Sequence, residues 1–216
     1  MPILTSPGDL PEATLRTAID ALAGGLVVAV PTDTVYGLAV DPFRPGATAR
    51  LFAAKRRPRG VPLPVVVGSV EQAMAMAAEA GVAPAASALM ARLWPGALTI
   101  VVPRREGLIA DLGDDAGTVG LRWPDHAVIE ALCAEVGPLA TTSANLHGEP
   151  TPLTAGGVAA VFGETVAVVL DGGPCGGAPS TVVDCTGAEP RLRREGRIPW
   201  ADVVAAATAT HGPGQR

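Results

Sequence analysis

The sequence predicts a single α/β domain, and three observations carry that expectation. Apolar runs of strand length alternate along the chain with segments whose apolar residues recur at helical spacing. Gly and Pro, 26 and 21 residues, gather in connections such as Asp171 to Pro179. The 216 residues, 48% of them hydrophobic, can fill one large core, and neither an internal repeat nor a linker marks a domain cut. Residues 1–205 are therefore expected to form one unit, and 206–216, ending in His211 to Arg216, a frayed tail. Aromatics at 3% leave Ala, Val, Leu and Ile to build the core.

The elements follow in order. Asp9 is placed to cap a helix with Glu12 at the third position; Leu15, Ala18, Ile19 and Leu22 continue it until Gly24 and Gly25. Leu26 to Val30 reads as a buried strand. Helical spacing predicts further helices over Ala47–Arg56, Val70–Ala80, Pro84–Leu93, Asp125–Val136 and Thr154–Phe162. Short apolar runs predict strands near Pro64–Val67, Ala97–Val102, Thr118–Arg122, Pro138–Thr142, Val166–Leu170 and Thr181–Asp184.

Charge singles out one stretch. The chain carries a formal net charge of -5, yet between Asp41 and Glu71 it holds Arg44, Arg50, Lys55, Arg56, Arg57 and Arg59 without an acidic residue. Lys55 is its only lysine. Two readings stand: a phosphate-binding block, or a solvated helix end whose cations favour the C-terminal dipole. The apolar runs fall well short of the ~20 residues a membrane span needs, and the N-terminus lacks a basic flank before an apolar stretch. Cys133, Cys175 and Cys185 form no Cys-x-x-Cys pair, and His126, His147 and His211 show no ligand spacing. A soluble cytoplasmic protein with reduced thiols and no protein-held metal is expected.

Several loops suit a nucleotide, each beside a plainer reading. Pro31 to Leu38 leaves a buried strand at its carboxyl end, where α/β sheets offer a ligand crevice; Thr32 and Asp33 could equally bond their own backbone in a turn. Lys55-Arg56-Arg57-Pro58 ends a helix. Arg57 could chelate phosphate oxygens with two parallel bonds, and Lys55 could act as a point charge on them. No Gly-x-x-x-x-Gly-Lys precedes Lys55, which excludes a P-loop. Thr141-Thr142-Ser143-Ala144-Asn145 can offer hydroxyls and an amide to phosphate or ribose, or simply cap the next helix. No Gly-x-Ser-x-Gly elbow surrounds Ser143. Asp171 to Gly177 has the wrong glycine spacing for a dinucleotide fingerprint and precedes a strand. Arg191, Arg193, Arg194 and Arg197 read alone as a polar strand face.

Taken together and in order, six segments resemble the YrdC-type threonylcarbamoyl-AMP synthases in their short single-domain form. They are Pro31 to Leu38, Lys55 to Pro58, Leu93-Trp94-Pro95-Gly96-Ala97-Leu98-Thr99, Gly120-Leu121-Arg122-Trp123-Pro124, Ser143-Ala144-Asn145 and Ser180-Thr181-Val182-Val183-Asp184. The likeness spans about residues 15 to 198. It implies a twisted mixed sheet with helices, bent around a concave, positively charged groove. It also implies condensation of L-threonine, bicarbonate and ATP to threonylcarbamoyl-AMP and pyrophosphate, the intermediate for N6-threonylcarbamoyladenosine in tRNA, with Mg²⁺ held mainly through the ATP phosphates.

Carried over by position, the resemblance implies that Thr34, Arg122, Thr141 and Ser180 cradle threonine, with Arg122 on its carboxylate. Lys55, Arg57, Thr118, Ser143, Asn145, Thr151 and Arg194 would face the nucleotide, with Lys55 and Arg57 acting in catalysis. The Trp94-Pro95-Gly96 turn would shape the scaffold. The chain departs from some relatives in having Val61 and Val66 where they place an asparagine and a histidine, in His147-Gly148 for a serine-glycine, and in Thr151 for a serine. The implied partners are the small substrates, weakly bound RNA and downstream tRNA threonylcarbamoyl-transferase proteins, with no membrane. Two other readings are a double-stranded RNA-binding module using the same basic groove, or a synthase drifted to another carbamoyl substrate. A hydrogenase-maturation carbamoyl-transfer domain shares the fold, but the length and cysteines cannot supply the zinc-finger and acylphosphatase modules that accompany it.

Overall fold

The computed structural model describes residues 3–4, 11–79, 81–114 and 117–208. In chain order its elements are β1 (Ile3–Leu4), α1 (Glu12–Ala23), β2 (Val28–Val30), β3 (Gly37–Val40), α2 (Ala47–Lys55), β4 (Val65–Val66), α3 (Val70–Met76), α4 (Pro84–Leu93), β5 (Leu98–Pro103), β6 (Thr118–Arg122), α5 (Ala127–Val136), β7 (Leu139–Ser143), α6 (Ala155–Phe162), β8 (Val168–Val169), β9 (Thr181–Asp184), β10 (Arg191–Arg194) and α7 (Trp200–Thr208). The strands make one ten-stranded mixed sheet in the order β1-β8-β2-β3-β7-β4-β6-β5-β9-β10. β1/β8, β8/β2, β4/β6 and β5/β9 pair in parallel; the remaining neighbours are antiparallel.

Alternation along the strands assigns each face its partner. Ala29, Leu38, Val40, Val65, Ala140 and Val183 join the larger core, which also takes Leu51 and Phe52 of α2, Met76 of α3, Leu89 and Met90 of α4, Val158 of α6 and Val203 of α7. Val28, Val30, Ala39, Val66 and Leu139 face the other way, onto Ala18 and Leu22 of α1 and Ile129 and Leu132 of α5. Five helices thus cover one face, while two cover part of the other. The site lies on that second face.

The helix Pro84–Leu93 and the strands Thr118–Arg122 and Thr181–Asp184 keep their expected bounds. Others differ for identifiable reasons. α3 stops at Met76 because Ala77 turns extended and bridges Arg104, and Ala78 N–H donates to Pro103 O at 2.9 Å. α5 starts at Ala127 because His126 is its cap, accepting from Val128 N–H at 3.3 Å. Gly37 and Leu38, the end of the Pro31 to Leu38 loop segment, instead begin β3, which pairs with both β2 and β7 and is buried on both faces, so it lacks the alternation that marks a half-exposed strand. The chain also continues as α7 to Thr208, within the segment expected to fray, because Val203 enters the main core and Arg92 Nη1 donates to Ala206 O at 3.0 Å. α1 begins at Glu12 with Pro11 in the cap position, so Glu12 is its first residue and not the third after an Asp9 cap; Asp9 itself and the rest of the expected tail lie outside the described residues.

Candidate active site

Where α1 and α5 leave the second face uncovered, alternate strand residues floor a cavity of about 720 Å³. Thr99 and Val101 come from β5, Thr118, Gly120 and Arg122 from β6, Thr141 and Ser143 from β7, Val182 from β9 and Arg194 from β10. This period of two brings residues distant in sequence onto one floor. Thr32, Thr34 and Val35 of the β2–β3 connection, Arg57 after α2, Thr151, and Gly177, Pro179 and Ser180 supply further walls. Every residue implicated by sequence lines this cavity except Lys55 and Asn145, which bond to one of its wall residues, Ser143. Among the described residues three arginines line it and no carboxylate does.

Lys55 is the most engaged of the cations. It closes α2, is 2% exposed, and its Nζ lies 2.7 Å from Ser143 O, 3.1 Å from Ser143 Oγ, 3.0 Å from Asn145 O and 2.7 Å from Asn145 Oδ1. An ammonium has three N–H groups, so four oxygens saturate it. Ser143 Oγ also donates to Asn145 Oδ1 at 2.6 Å, and Asn145 Nδ2 donates to Leu146 O and Glu149 O. Burial, then the Arg57 charge, lowers the Lys55 pKa to about 8.

Arg56 then separates Lys55 from Arg57. It adopts the left-handed conformation at φ 53, letting Arg57 N–H close back on Phe52 O at 3.0 Å as the helix ends. The turn leaves Lys55 inside the fold and sends Arg57 to the cavity wall, where Nε donates to Val61 O at 3.0 Å and Nη2 to Pro62 O at 3.2 Å. Burial lowers its pKa. The rest of the acid-free stretch disperses: Arg44 pairs with Asp41, Arg50 bonds Gly25 O, and Arg59 pairs with Asp111 and Asp114.

Arg122, at the end of β6 and 8% exposed, is held on three sides. Its Nε donates to Gly96 O at 3.0 Å, Nη1 to Thr34 Oγ1 at 2.8 Å, and Nη2 to Asp33 Oδ1 at 2.5 Å. Burial lowers its pKa and Asp33 opposes that. The Trp94-Pro95-Gly96 turn therefore acts on the site by orienting Arg122, as Gly96 N–H also ties to Trp123 O at 2.7 Å. Opposite, Thr99 Oγ1 and Ser180 Oγ share a 2.8 Å hydrogen bond, and Arg194 donates from Nη2 to Ser180 O at 2.8 Å. The turn after β10 approaches this point so closely that a Cβ on Gly196 would overlap Pro179 O and Ser180.

The glycine-rich strap Asp171 to Pro179 closes one side. Gly173 O accepts from the buried Tyr36 hydroxyl at 2.7 Å, and Gly177 N–H, at φ +84, donates to Thr34 O at 3.1 Å. Burial raises the Tyr36 pKa to about 12, so the hydroxyl remains a donor. Sequence reasoning passed over Thr99, Asp33 and Arg197 as site groups, although Thr99 and Asp33 lie within motifs it quoted. A hydroxyl inside the apolar run Ala97–Val102 was the available signal for Thr99, since a buried polar group needs a partner. Among the described residues no group of three or more His, Cys, Asp or Glu can hold a metal ion, and no helix is long and apolar enough to cross a membrane.

Comparison with known proteins agrees with this arrangement. The family model Sua5_yciO_yrdC, described as "Telomere recombination", matches residues 20–196. A Mycobacterium leprae relative, provisionally named threonylcarbamoyl-AMP synthase, is 43% identical over 191 residues, covering 88% of this chain and 86% of its own. A Chromohalobacter salexigens protein named threonylcarbamoyl-AMP synthase is 38% identical over 182 residues, covering 83% of this chain and 96% of its own. Sua5 of P. abyssi, solved in complex with L-threonine, superposes with a TM-score of 0.86 at 33% identity, over 94% of this chain and 60% of that longer one. The motifs, the mixed sheet and these likenesses agree: the chain belongs to the Sua5/YciO/YrdC family.

Proposed function

We propose that the protein is an L-threonylcarbamoyladenylate synthase, a nucleotidyltransferase that condenses L-threonine, bicarbonate and ATP into threonylcarbamoyl-AMP and pyrophosphate for the N6-threonylcarbamoyladenosine modification of tRNA. The observation that carries this reading is the convergence of Thr34, Arg57, Thr118, Arg122, Thr141, Ser143, Thr151, Ser180 and Arg194 on one cavity. In this reading Arg122 takes the threonine carboxylate between Thr34, Thr141 and Ser180, while Arg57, Thr118, Ser143, Thr151 and Arg194 face the nucleotide. Lys55 and Asn145 act from behind Ser143. Threonine's neutral amine condenses with bicarbonate, through carbon dioxide, to a carbamate with loss of one water; a carbamate oxygen then attacks the α-phosphorus, forming the P–O bond as the bond to pyrophosphate breaks.

Neither step requires a protein nucleophile. The chain holds the reactants at near-attack distance and sets guanidinium groups against the negative charge that spreads over the phosphates. Arginines and hydroxyls without a carboxylate cluster do not make a protein-held metal site, so Mg²⁺ belongs to this reading as part of the MgATP substrate. A single unit that includes α7 through Thr208, a cytoplasmic location, weak RNA binding through the same arginines and delivery of the product to downstream tRNA threonylcarbamoyl-transferase proteins complete it.

Mass spectrometry of products formed from MgATP, bicarbonate and a mixture of amino acids tests the reading. Threonylcarbamoyl-AMP with threonine-dependent pyrophosphate release is expected. Another carbamoylated amino acid would mark a synthase of different specificity, and no adenylate product would overturn the assignment.

A further inference from the structure

Among the three arginines that line the cavity, Arg122 has the side chain hydrogen-bonded to the most partners, held by Gly96 O, Thr34 Oγ1 and Asp33 Oδ1. A guanidinium carries five N–H groups; here Gly96 O, Thr34 Oγ1 and Asp33 Oδ1 engage Nε, Nη1 and Nη2, which leaves one N–H on each terminal nitrogen. Two such groups match the two oxygens of a carboxylate, provided the guanidinium plane is fixed. Asp33 is not among the residues that line the cavity; its side chain is 13% exposed and pairs with Arg122. Its backbone carbonyl accepts from Arg197 Nη1. Arg194 and Arg197 both bear electrostatically on Arg122, and Asp33 is the carboxylate that counters them.

We propose that Asp33 is a positioning residue for amino-acid binding: it holds the Arg122 guanidinium among neighbouring arginines and leaves two N–H groups for the substrate carboxylate. The inference rests on the functional reading above, in which Arg122 meets that carboxylate. Without the Asp33 charge, the buried Arg122 guanidinium would lose its acidic partner while the exposed Arg194 and Arg197 still act on it, and it would lose its fixed plane. The loss falls on the amino acid, since Asp33 bonds Arg122, whereas Arg194 on the nucleotide side is held by Ser180 O instead.

Calorimetric titration of the full chain with L-threonine, and separately with MgATP, tests this. Asp33→Asn is expected to weaken L-threonine binding about tenfold or more and to leave MgATP binding within about twofold. In an Arg122→Lys background the same change should add less than about twofold, because two residues acting through one contact are not additive. Asp33→Glu, which keeps the charge and displaces it by one methylene, should lose less than Asp33→Asn, and it serves as the measurement if Asp33→Asn does not fold. Unchanged threonine binding in these variants, or full additivity with Arg122→Lys, would overturn the proposal. Absence of threonine binding by the unaltered chain would instead overturn the functional reading, and this inference with it.

Discussion

Two buried cations stand at the same cavity in opposite conditions. Lys55 has every N–H group taken by Ser143 and Asn145, whereas Arg122, although bonded on three sides, keeps donors to spare. The difference follows from the side chains: an ammonium offers three donors on one atom, a guanidinium five on a planar fork. A saturated ammonium can act on substrate only through what it holds. An unsaturated guanidinium can touch substrate directly. The sequence gives no hint of this division, because the oxygens around Lys55 come from residues 88 and 90 positions away.

The sharpest way to break the comparison is Lys55→Ala. It strips buried acceptors of their donor, and several unsatisfied polar groups together are expected to cost ~3 kcal/mol. That should lower Tm by roughly 10 °C for a chain of this size. Turnover should fall at least about tenfold as Ser143 and Asn145 lose their fixed positions. A calorimetric scan beside a threonine-dependent pyrophosphate assay checks both. Lost turnover with an unchanged Tm would show that Lys55 meets substrate itself, and the contrast with Arg122 would collapse.

Arg57→Ala sharpens the same contrast from the other side. Among the described residues the Arg57 side chain bonds only the carbonyls of Val61 and Pro62 in its own loop, and water can replace it there. Its removal should reduce turnover at least about tenfold, through lost stabilisation of phosphate charge, and shift Tm by no more than about 2 °C. Equal losses of Tm in the Lys55 and Arg57 variants would mean that both cations are structural.

Legibility in the sequence followed the range of the forces involved. Pro84–Leu93 was readable to the residue because its signals are local: a proline in the first turn and apolar residues at helical spacing. Gly37–Val40 was not, since burial on both faces erases alternation. Trp200–Thr208 was not, since this helix depends on Val203 docking against residues far back in the chain. The candidate site was legible as a set of motifs, and the cavity gathers them. Their bonding was not. The Asp33–Arg122 pair spans 89 positions, and the Thr99–Ser180 bond spans 81. Position in a motif says which residue type is present; only the sheet register says which atoms meet.

The gentlest test of the contrast reads the Lys55 proton directly. As the chain's only lysine, it gives one side-chain resonance when lysine alone is labelled with ¹⁵N. Burial and the Arg57 charge favour the neutral amine and bring the midpoint from 10.5 to about 8. The sign of the linked stability follows. Between these values the unfolded chain holds a proton that the folded chain has released, so the Lys55 contribution to stability rises as pH climbs through that window. Below about 8 both states are protonated and the contribution is level. The same proton loss removes a donor from the knot, so Ser143 and Asn145 should loosen above that midpoint, and the apparent KM for ATP should rise with it. A midpoint near 8 would show that burial outweighs the four surrounding oxygens. A midpoint at 10.5 or higher would show that those oxygens hold the proton against burial, making the knot the more rigid half of the cavity at every working pH.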